Sequence, residues 1–182
     1  PLGLQNLFFL PLDSEKPPSH IDFAATEECQ WRKKVLEGEV HDDNAYAIGG
    51  VAGHTGLFGT AQDIHRLLVE LLNAYHGRPN SGLFHPEMVR TFLKRQIGGR
   101  ALGFDTPTQP GSSSGRYFSK HSVGHLGYTG TSFWIDLERS IIVILLTNRV
   151  HPTRENVQIK TFRPIIHDAI MEGLLEDGPL RP

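Results

Sequence analysis

The sequence predicts an α+β protein in which an antiparallel β-sheet is flanked by helices. Two observations carry this prediction: three segments have apolar side chains at helical spacing, and residues 132–146 have the pattern of a β-hairpin. At 182 residues the chain fits one domain, or one domain with an appendage. A domain of this length buries about 70% of the surface of its unfolded chain, which is enough for a core without disulfides.

The composition excludes several classes of protein. The 18 Lys and Arg residues are balanced by 20 Asp and Glu residues, so the net charge of −2 argues against nucleic acid as a partner. Cys29 is the only cysteine, which rules out an internal disulfide and a Cys₂His₂ zinc module. The longest apolar run, residues 141–146, is too short to cross a bilayer, so we expect no membrane segment in this chain.

Residues 1–40 are predicted to form an N-terminal connector, and residues 41–182 the main folded part. Residues 1–20 contain four prolines around a short apolar island at residues 7–10. This pattern indicates an extended segment whose apolar island docks on the body of the protein. Residues 41–59 are small and rich in glycine, so we expect an ordered loop there and no regular element.

The clearest helical pattern covers residues 61–76. Thr60 is a good N-cap residue, Asp63 stands where the acid of a capping box would, and Gly77 is a typical helix end. The apolar positions repeat at helical spacing: Ile64, Leu67, Leu68, Leu71, Leu72 and Tyr75. This segment is therefore predicted to be an amphipathic helix with one face in the core.

Two further helices are predicted. One covers residues 86–95, and its inward side chains would be Met88, Val89, Phe92 and Leu93. The other covers residues 163–175, with one apolar stripe made of Ile165, Ile166, Ala169, Ile170 and Leu174. Because this last helix follows the hairpin and needs a partner surface, we expect it to pack on the sheet.

The sheet is predicted near the C-terminal end of the chain. Residues 132–137 alternate loosely, residues 138–140 turn, and the continuous apolar run that follows predicts a second strand buried on both faces. A strand within residues 117–127 would make three. The preceding residues 105–122 are rich in turn formers, and residues 111–115 would form a flexible tip.

The most specific motif is the segment His125-Leu-Gly-Tyr-Thr-Gly130, immediately before the hairpin. With the hairpin, it resembles the third motif of the penicillin-recognising serine hydrolases: class C β-lactamases, penicillin-binding DD-peptidases and related esterases. That family carries Lys-Thr-Gly, or a His-x-Gly variant, on an inner strand of its sheet. The glycine-rich residues 49–63 also resemble the family's segment that leads into a helix. The resemblance covers nearly the whole chain, but only the C-terminal half of such an enzyme.

The resemblance implies roles for six residues. His125 would take the position of the motif lysine and face the substrate carboxylate. Gly127 would let the substrate backbone lie close to the strand, and the backbone N–H of Tyr128 would be one oxyanion donor. The candidate substrate-binding residues are Thr129, Asn148 and His54.

Four of these residues also have a purely structural interpretation. A lone His125 would be a solvent-facing side chain, although its place in the motif favours function. Gly127 would mark a β-bulge, Asn148 a turn at a strand end, and His54 a solvated position in a helix-capping connector.

The other catalytic motifs of the family are missing from the sequence. No serine is followed three positions later by lysine, and no tyrosine or serine is followed two positions later by asparagine. We therefore expect the nucleophile, its lysine and the tyrosine to lie in a segment upstream of Pro1. On this interpretation residues 1–40 include the remnant of a helical subdomain, and the chain alone is inactive.

The resemblance implies an enzyme that attacks an amide or ester carbonyl, forms an acyl-enzyme and hydrolyses it, with no cofactor. D-Ala peptides of the peptidoglycan type and small esters rank above β-lactams as substrates, because histidine replaces lysine in the motif. By analogy with the family, the compartment would be the periplasm or another extracytoplasmic space.

Two alternatives remain open at this point. One is a non-catalytic binding module of the same fold, which kept a cleft and lost the nucleophile. The other is a metal-dependent hydrolase built on the ten histidines, with His41, Asp42, Asp43 and His54 as ligands. No helical His-x-x-x-His pair with a glutamate supports a metal, so our site assignment contains none.

A further prediction concerns self-association. In the resembled family both chain ends contribute to the sheet, so a C-terminal portion alone would expose strand edges and apolar surface. We expect the chain to self-associate, or its connector to rearrange over the gap. Light scattering tests this, and a monodisperse monomer that binds no hydrophobic dye would contradict it.

Overall fold

The computed structural model describes residues 2–13, 22–108 and 110–176. The strands in chain order are β1 (Leu7–Phe9), β2 (Glu28–Cys29), β3 (Lys34–Val35), β4 (Leu57–Gly59), β5 (Val123–Leu126), β6 (Ser132–Asp136) and β7 (Ile141–Leu145). The helices are α1 (Asp43–Ala47), α2 (Ala61–His76), α3 (Pro86–Leu93) and α4 (Ile159–Glu176). The prolines at positions 1, 17 and 18, on which the connector prediction partly rests, lie outside the described residues.

The central sheet is antiparallel, in the order β5-β6-β7. Val123 pairs with Ile135 at one end of the first ladder, and Trp134 pairs with Val143 in the second. The predicted hairpin is therefore confirmed. The third strand is confirmed as well, but it covers only four of the residues within which we predicted it.

Each face of the sheet carries a cluster of buried side chains. Val123 and Ile135 face α2 and α3, which contribute Leu68, Leu72, Val89 and Leu93. On the opposite face, Trp134 and Val143 pack with Phe118 and with Met171 of α4. The prediction that the last helix packs on the sheet is confirmed, and the α+β assignment holds.

Burial of β7 on both faces was predicted wrongly. Ile141 and Val143 are buried, whereas Ile142, Ile144 and Leu145 are only half-buried. Among the described residues β7 pairs only with β6, so it lies at an edge of this sheet. A strand at an edge has a neighbouring strand on one side only, and its side chains are therefore less completely covered.

The predicted helix over residues 61–76 is confirmed at both ends. Thr60 accepts a hydrogen bond from the Asp63 N–H at 3.3 Å, and Gly77 ends the helix with a φ of +68°. The Asp63 carboxylate does not close a capping box. It accepts the N–H of Asn6 at 2.6 Å, so the start of α2 is tied to the segment before β1.

The buried faces of α3 and α4 match the predicted ones only in part. In α3, Val89 and Leu93 are buried, but Met88 and Phe92 are exposed. In α4 the buried positions repeat every four residues and include two polar side chains: Ile159, Arg163, His167 and Met171. On the predicted stripe, Ile170 and Leu174 are half-buried against the cluster that contains Trp134, whereas Ile165 is 60% exposed. The prediction missed Arg163 because α4 also packs against the Gly127 and Thr131 carbonyl groups. These oxygens accept hydrogen bonds from an arginine and could accept none from an aliphatic side chain.

Two further predictions about loops were wrong. Residues 41–59 contain regular elements, because Asp42 caps α1 and because β4 pairs with β1, placing Phe8 opposite Phe58. This pairing confirms that the apolar island docks on the body of the protein. The predicted flexible tip is a packed turn, since Ser112 and Ser114 are buried and hydrogen-bonded to each other at 2.7 Å.

None of the described helices is long and apolar enough to cross a membrane.

Asp136 ends β6 and organises the turn of the hairpin. Its fully buried carboxylate accepts the N–H groups of Ser119, Glu138 and Arg139, each at 3.0 Å. The Arg139 guanidinium adds an ion pair at 2.7 Å. Burial raises the pKa of the Asp136 carboxyl, but these hydrogen bonds outweigh burial and hold it below its ordinary value.

We predict that Asp136→Ala lowers the free energy of unfolding by about 3 kcal/mol, because it leaves several buried donors without an acceptor. Urea denaturation followed by circular dichroism measures this loss. Glu138→Ala, at an exposed position in the same turn, is the matched control and should change stability by less than about 0.5 kcal/mol. Equal losses in the two variants would contradict the role of Asp136.

Candidate active site

His125 lies near the end of β5, opposite Phe133, and its side chain is exposed. Side chains alternate along a strand, so His125 lies on the same face of the sheet as Val123. Val123 is covered by α2 and α3, and His125 extends past that cover. The motif histidine is therefore available to a ligand.

The outer edge of β5 is partly open. Gly124 exchanges two backbone hydrogen bonds with Asp105 there, at 2.7 and 3.0 Å. Because hydrogen-bonding direction alternates along a strand, the N–H and C=O of Leu126 point to the same outer side. No described residue pairs with Leu126 on that side. An extended ligand backbone could bind along this edge.

A tight turn follows β5. The Gly127 N–H donates to the Thr131 carbonyl at 2.8 Å, and the Gly130 N–H donates to the Gly127 carbonyl at 3.1 Å. A β-carbon at Gly127 would lie 2.0 Å from the Thr131 hydroxyl oxygen. Gly130 has a φ of +120°, and a β-carbon there would meet the Thr147 carbonyl oxygen at 2.8 Å. The turn thus requires glycine at position 130, whereas a larger residue at position 127 would displace the Thr131 side chain.

Tyr128 occupies the corner of this turn. Its carbonyl accepts a hydrogen bond from Arg149 Nε at 2.7 Å, and the Arg149 guanidinium lies 4.0 Å from the centre of its ring. The ring also stacks on His41, with 5.6 Å between the ring centres. The Tyr128 N–H has no hydrogen-bond acceptor among the described residues. The turn therefore holds a free amide donor at a fixed place.

A cleft of about 350 Å³ lies beside the turn. Thr129 and Thr131 line it from the turn, and His41 lines it from the segment before α1. The rest of its wall mixes aromatic and polar side chains, among them Phe8, Phe23, Phe58, Thr60 and Asn148. A mostly apolar concavity with a few polar groups is typical of a ligand site. His125, Tyr128 and His54 do not line this cleft.

His41 is held in the cleft wall by a network of polar contacts in which Glu27 and His41 are buried and Arg154 and Asp43 are partly exposed. Its Nε2 lies 2.9 Å from Glu27 Oε2, and the same carboxylate accepts the Arg154 Nε at 2.7 Å. Arg154 also pairs with Asp43 at 3.3 Å. Hydrogen bonds from Arg154 lower the pKa of Glu27 to about 2. Burial lowers the pKa of His41, which favours the neutral imidazole despite the neighbouring carboxylate.

The structure gives Asn148 and His54 local partners. The Asn148 side-chain amide donates to the Ala25 carbonyl, and its oxygen accepts the Val150 N–H at 3.0 Å, as in a turn at a strand end. His54 is exposed and lies 3.4 Å from Asp42, the N-cap residue of α1. Of the six predicted site residues, the structure thus brings Thr129 and Asn148 to the cleft and places Gly127 and Tyr128 in the adjoining turn.

Sequence reasoning missed the charged residues that support the turn and the cleft. Glu27 and Arg154 are separated by 127 positions, and no local pattern links them. Arg163 lies in the helix predicted over residues 163–175, but that prediction rested on the apolar residues and gave the arginine no role. In the part of the chain that the structure describes, no group of three His, Cys, Asp or Glu side chains could hold a metal ion.

Comparisons with known proteins agree on one relationship. A family model described as "Beta-lactamase" matches residues 1–165. Two curated relatives, from Salmonella agona strain SL483 and Salmonella gallinarum, carry the name "Putative D-alanyl-D-alanine carboxypeptidase". Each is 33% identical over 175 residues, which cover 87% of this chain and 40% of the relative. The chain thus spans about 40% of the length of these relatives.

Solved structures share the fold. A simvastatin synthase mutant from Aspergillus terreus has a TM-score of 0.60 at 15% identity, covering 96% of this chain and 48% of that protein. EstCE1, described as a hydrolase with promiscuous acyltransferase activity, has a TM-score of 0.55 at 16% identity, covering 93% and 47%. A beta-lactamase from Mycobacterium bovis has a TM-score of 0.52 at 18% identity, covering 69% and 47%.

The pKa of Glu27 leads to a prediction about acid stability. A carboxyl with a pKa of about 2 in the folded state and 4.5 when unfolded stabilises the fold fully above pH 4.5. That contribution is lost as the pH falls from 4.5 towards 2. After allowance for the partial exposure of Arg154, we expect Glu27→Gln to lower the free energy of unfolding by roughly 2 kcal/mol at pH 7 and by little at pH 2.5.

Urea denaturation at a series of pH values measures the difference between the two proteins. Glu28→Gln changes an exposed neighbouring carboxyl and is the matched control. A difference between wild type and Glu27→Gln that stays constant from pH 7 to pH 2.5 would contradict the assignment.

Proposed function

The chain belongs to the beta-lactamase family, and we propose that it is the C-terminal portion of a serine hydrolase that acts on amide or ester carbonyls through an acyl-enzyme. The nucleophilic serine, its lysine and the catalytic tyrosine would lie in a segment outside this chain. Residues 1–40 would then include the end of the helical subdomain that carries them.

The free N–H of Tyr128, at the end of an open strand edge, carries this proposal. An oxyanion hole needs donors that are held rigidly and that no protein group already occupies. The Tyr128 N–H meets both conditions, since two glycine-dependent hydrogen bonds close its turn and no described acceptor contacts it. Removal of one such donor typically lowers the rate by about 10²–10³-fold.

In the proposed mechanism, the chain contributes to the reaction at a single carbonyl group of the substrate. The serine oxygen attacks the carbonyl carbon, and the carbonyl oxygen takes on negative charge against the Tyr128 N–H and the N–H of the serine itself. The C–N or C–O bond then breaks, and the leaving amine or alcohol takes up the proton that the serine gave to its lysine–tyrosine pair during the attack. Water attacks the acyl-enzyme in the second half, so the products are a carboxylic acid and the free serine.

His125 would contact the substrate beside this carbonyl. It lies one residue before Leu126, whose open backbone groups would pair with an extended substrate. Thr129 and Asn148 would bind the part of the substrate that enters the cleft. The exposed His54 would contact only a substrate that reaches beyond the cleft.

We infer D-Ala peptides or small esters as substrates, with β-lactams ranked lower. Support comes from the name D-alanyl-D-alanine carboxypeptidase carried by relatives at 33% identity. The histidine in place of the motif lysine supports the lower rank of β-lactams, since an imidazole is not a permanent cation at neutral pH.

A second candidate is a non-catalytic binding module of the same fold. It is equally compatible with the observation that no serine in the 182 residues belongs to a Ser-x-x-Lys motif. The two candidates differ in what precedes this segment in the whole protein, and in whether that protein forms a covalent adduct.

Intact mass after reaction with a fluorophosphonate, and separately with a penicillin, tests the proposal. We expect no adduct on this chain and one adduct on the whole protein. In the whole protein, His125→Ala should slow acylation by about 10²-fold, because a contact made at the reacting centre is lost.

His121→Ala is the matched control, since His121 is exposed and lies outside the site. An adduct on a serine of this chain would overturn the placement of the nucleophile. Absence of any adduct on the whole protein would favour the binding module.

A further inference from the structure

Arg163 of α4 is a buried cation with an unusual set of partners. It is only 7% exposed, and its hydrogen-bond acceptors among the described residues are backbone carbonyl oxygens, with no carboxylate. One terminal nitrogen of its guanidinium donates to the Gly127 carbonyl at 2.7 Å and to the Thr131 carbonyl at 2.6 Å. Its Nε is buried with no partner among the described residues. Burying a charge against carbonyl groups alone is costly, so this arrangement calls for a reason.

The Gly127 carbonyl and the Tyr128 N–H belong to the same peptide group. The two are conjugated through the planar amide, so a cation at the oxygen withdraws electron density from the nitrogen. Hydrogen bonds linked in this way strengthen one another. Arg163 therefore makes the Tyr128 N–H more acidic by binding the carbonyl oxygen of the same amide group.

A second arginine repeats the arrangement. Arg149 donates to the Tyr128 carbonyl, and its other acceptors are the carbonyl groups of Arg154 and Asn156. Two consecutive carbonyl oxygens of the turn, those of Gly127 and Tyr128, thus each accept a hydrogen bond from a guanidinium group. Burial, and then the charge of Arg149, lower the pKa of Arg163, as expected for two neighbouring cations.

We propose that Arg163 is a positioning residue that polarises the Gly127–Tyr128 peptide and thereby strengthens the Tyr128 N–H as an oxyanion donor. The catalytic part of this inference rests on the proposed function. The polarisation itself does not, and it is measurable in this chain without a substrate.

The rival explanation is that Arg163 only fixes the shape of the turn. The two explanations differ in their effect on hydrogen exchange. Because the Tyr128 N–H has no acceptor, its base-catalysed exchange reports the acidity of that amide directly. The Gly127 and Gly130 N–H groups are hydrogen-bonded, so their exchange reports whether the turn opens.

The experiment compares Arg163→Gln, which keeps a donor without the charge, with Arg163→Lys, which keeps the charge. Exchange of assigned amides is followed by NMR on the 182-residue chain. We expect Arg163→Gln to slow exchange at Tyr128 on the order of tenfold, and Arg163→Lys to leave it within about threefold. Exchange at Gly103, an exposed turn position, is the internal control.

Faster exchange at Gly127 and Gly130 in both variants, with no slowing at Tyr128, would overturn the proposal and leave a structural role. If Arg163→Gln does not fold, Arg149→Gln replaces it. Arg149 donates to the Tyr128 carbonyl, which belongs to the same peptide group as the Thr129 N–H. Loss of Arg149 should therefore slow hydrogen exchange at Thr129 more than at Tyr128. Equal slowing at these two amides would also overturn the proposal.

Acylation of the whole protein separates this inference from the proposed function. Slower exchange at Tyr128 together with slower acylation in Arg163→Gln supports both. Slower exchange with unchanged acylation supports the polarisation and overturns Tyr128 as the oxyanion donor. Unchanged exchange with normal acylation overturns the inference and leaves the proposed function in place.

Discussion

The register between β5 and β6 is the constraint on which the site depends. It places Gly127 opposite Thr131, so the turn between the strands has one geometry. A shift of β5 by one residue against β6 would move Val123 from the core to the opposite face. The two buried clusters fix the register from both faces, and the free N–H of Tyr128 is fixed with it.

The cleft depends on a second, long-range interaction. Glu27 and Arg154 join the segment before β2 to the segment after β7, and His41 is held against the same carboxylate. The His41 ring then supports the Tyr128 ring. A buried network of this kind contributes little to stability beyond what hydrophobic contacts could give, but it orients each member. The cleft wall and the turn are thus positioned by one set of charges.

Sequence reasoning found the elements whose signals are local. The helix from Thr60 to Gly77 and the hairpin around residues 138–140 have caps, spacing and turns that act within a few residues. The buried faces of α3 and α4 were assigned correctly only in part, because the surface that a helix meets decides which of its side chains are buried. The supporting arginines were missed for the same reason, since carbonyl groups of a distant turn leave no pattern in sequence.

Arg149 and Arg163 hold the turn through backbone oxygens, which are the same for every amino acid. These hydrogen bonds therefore do not depend on the side chains at positions 128 and 129. The Tyr128 ring adds only its own contacts with Arg149 and His41. Mutation of Thr129, which lines the cleft, can change what the cleft accepts while the amide donor at Tyr128 stays in place. In the proposed hydrolase, substrate preference and the geometry of the amide donor could therefore change separately, and an engineer could diversify the first without rebuilding the second.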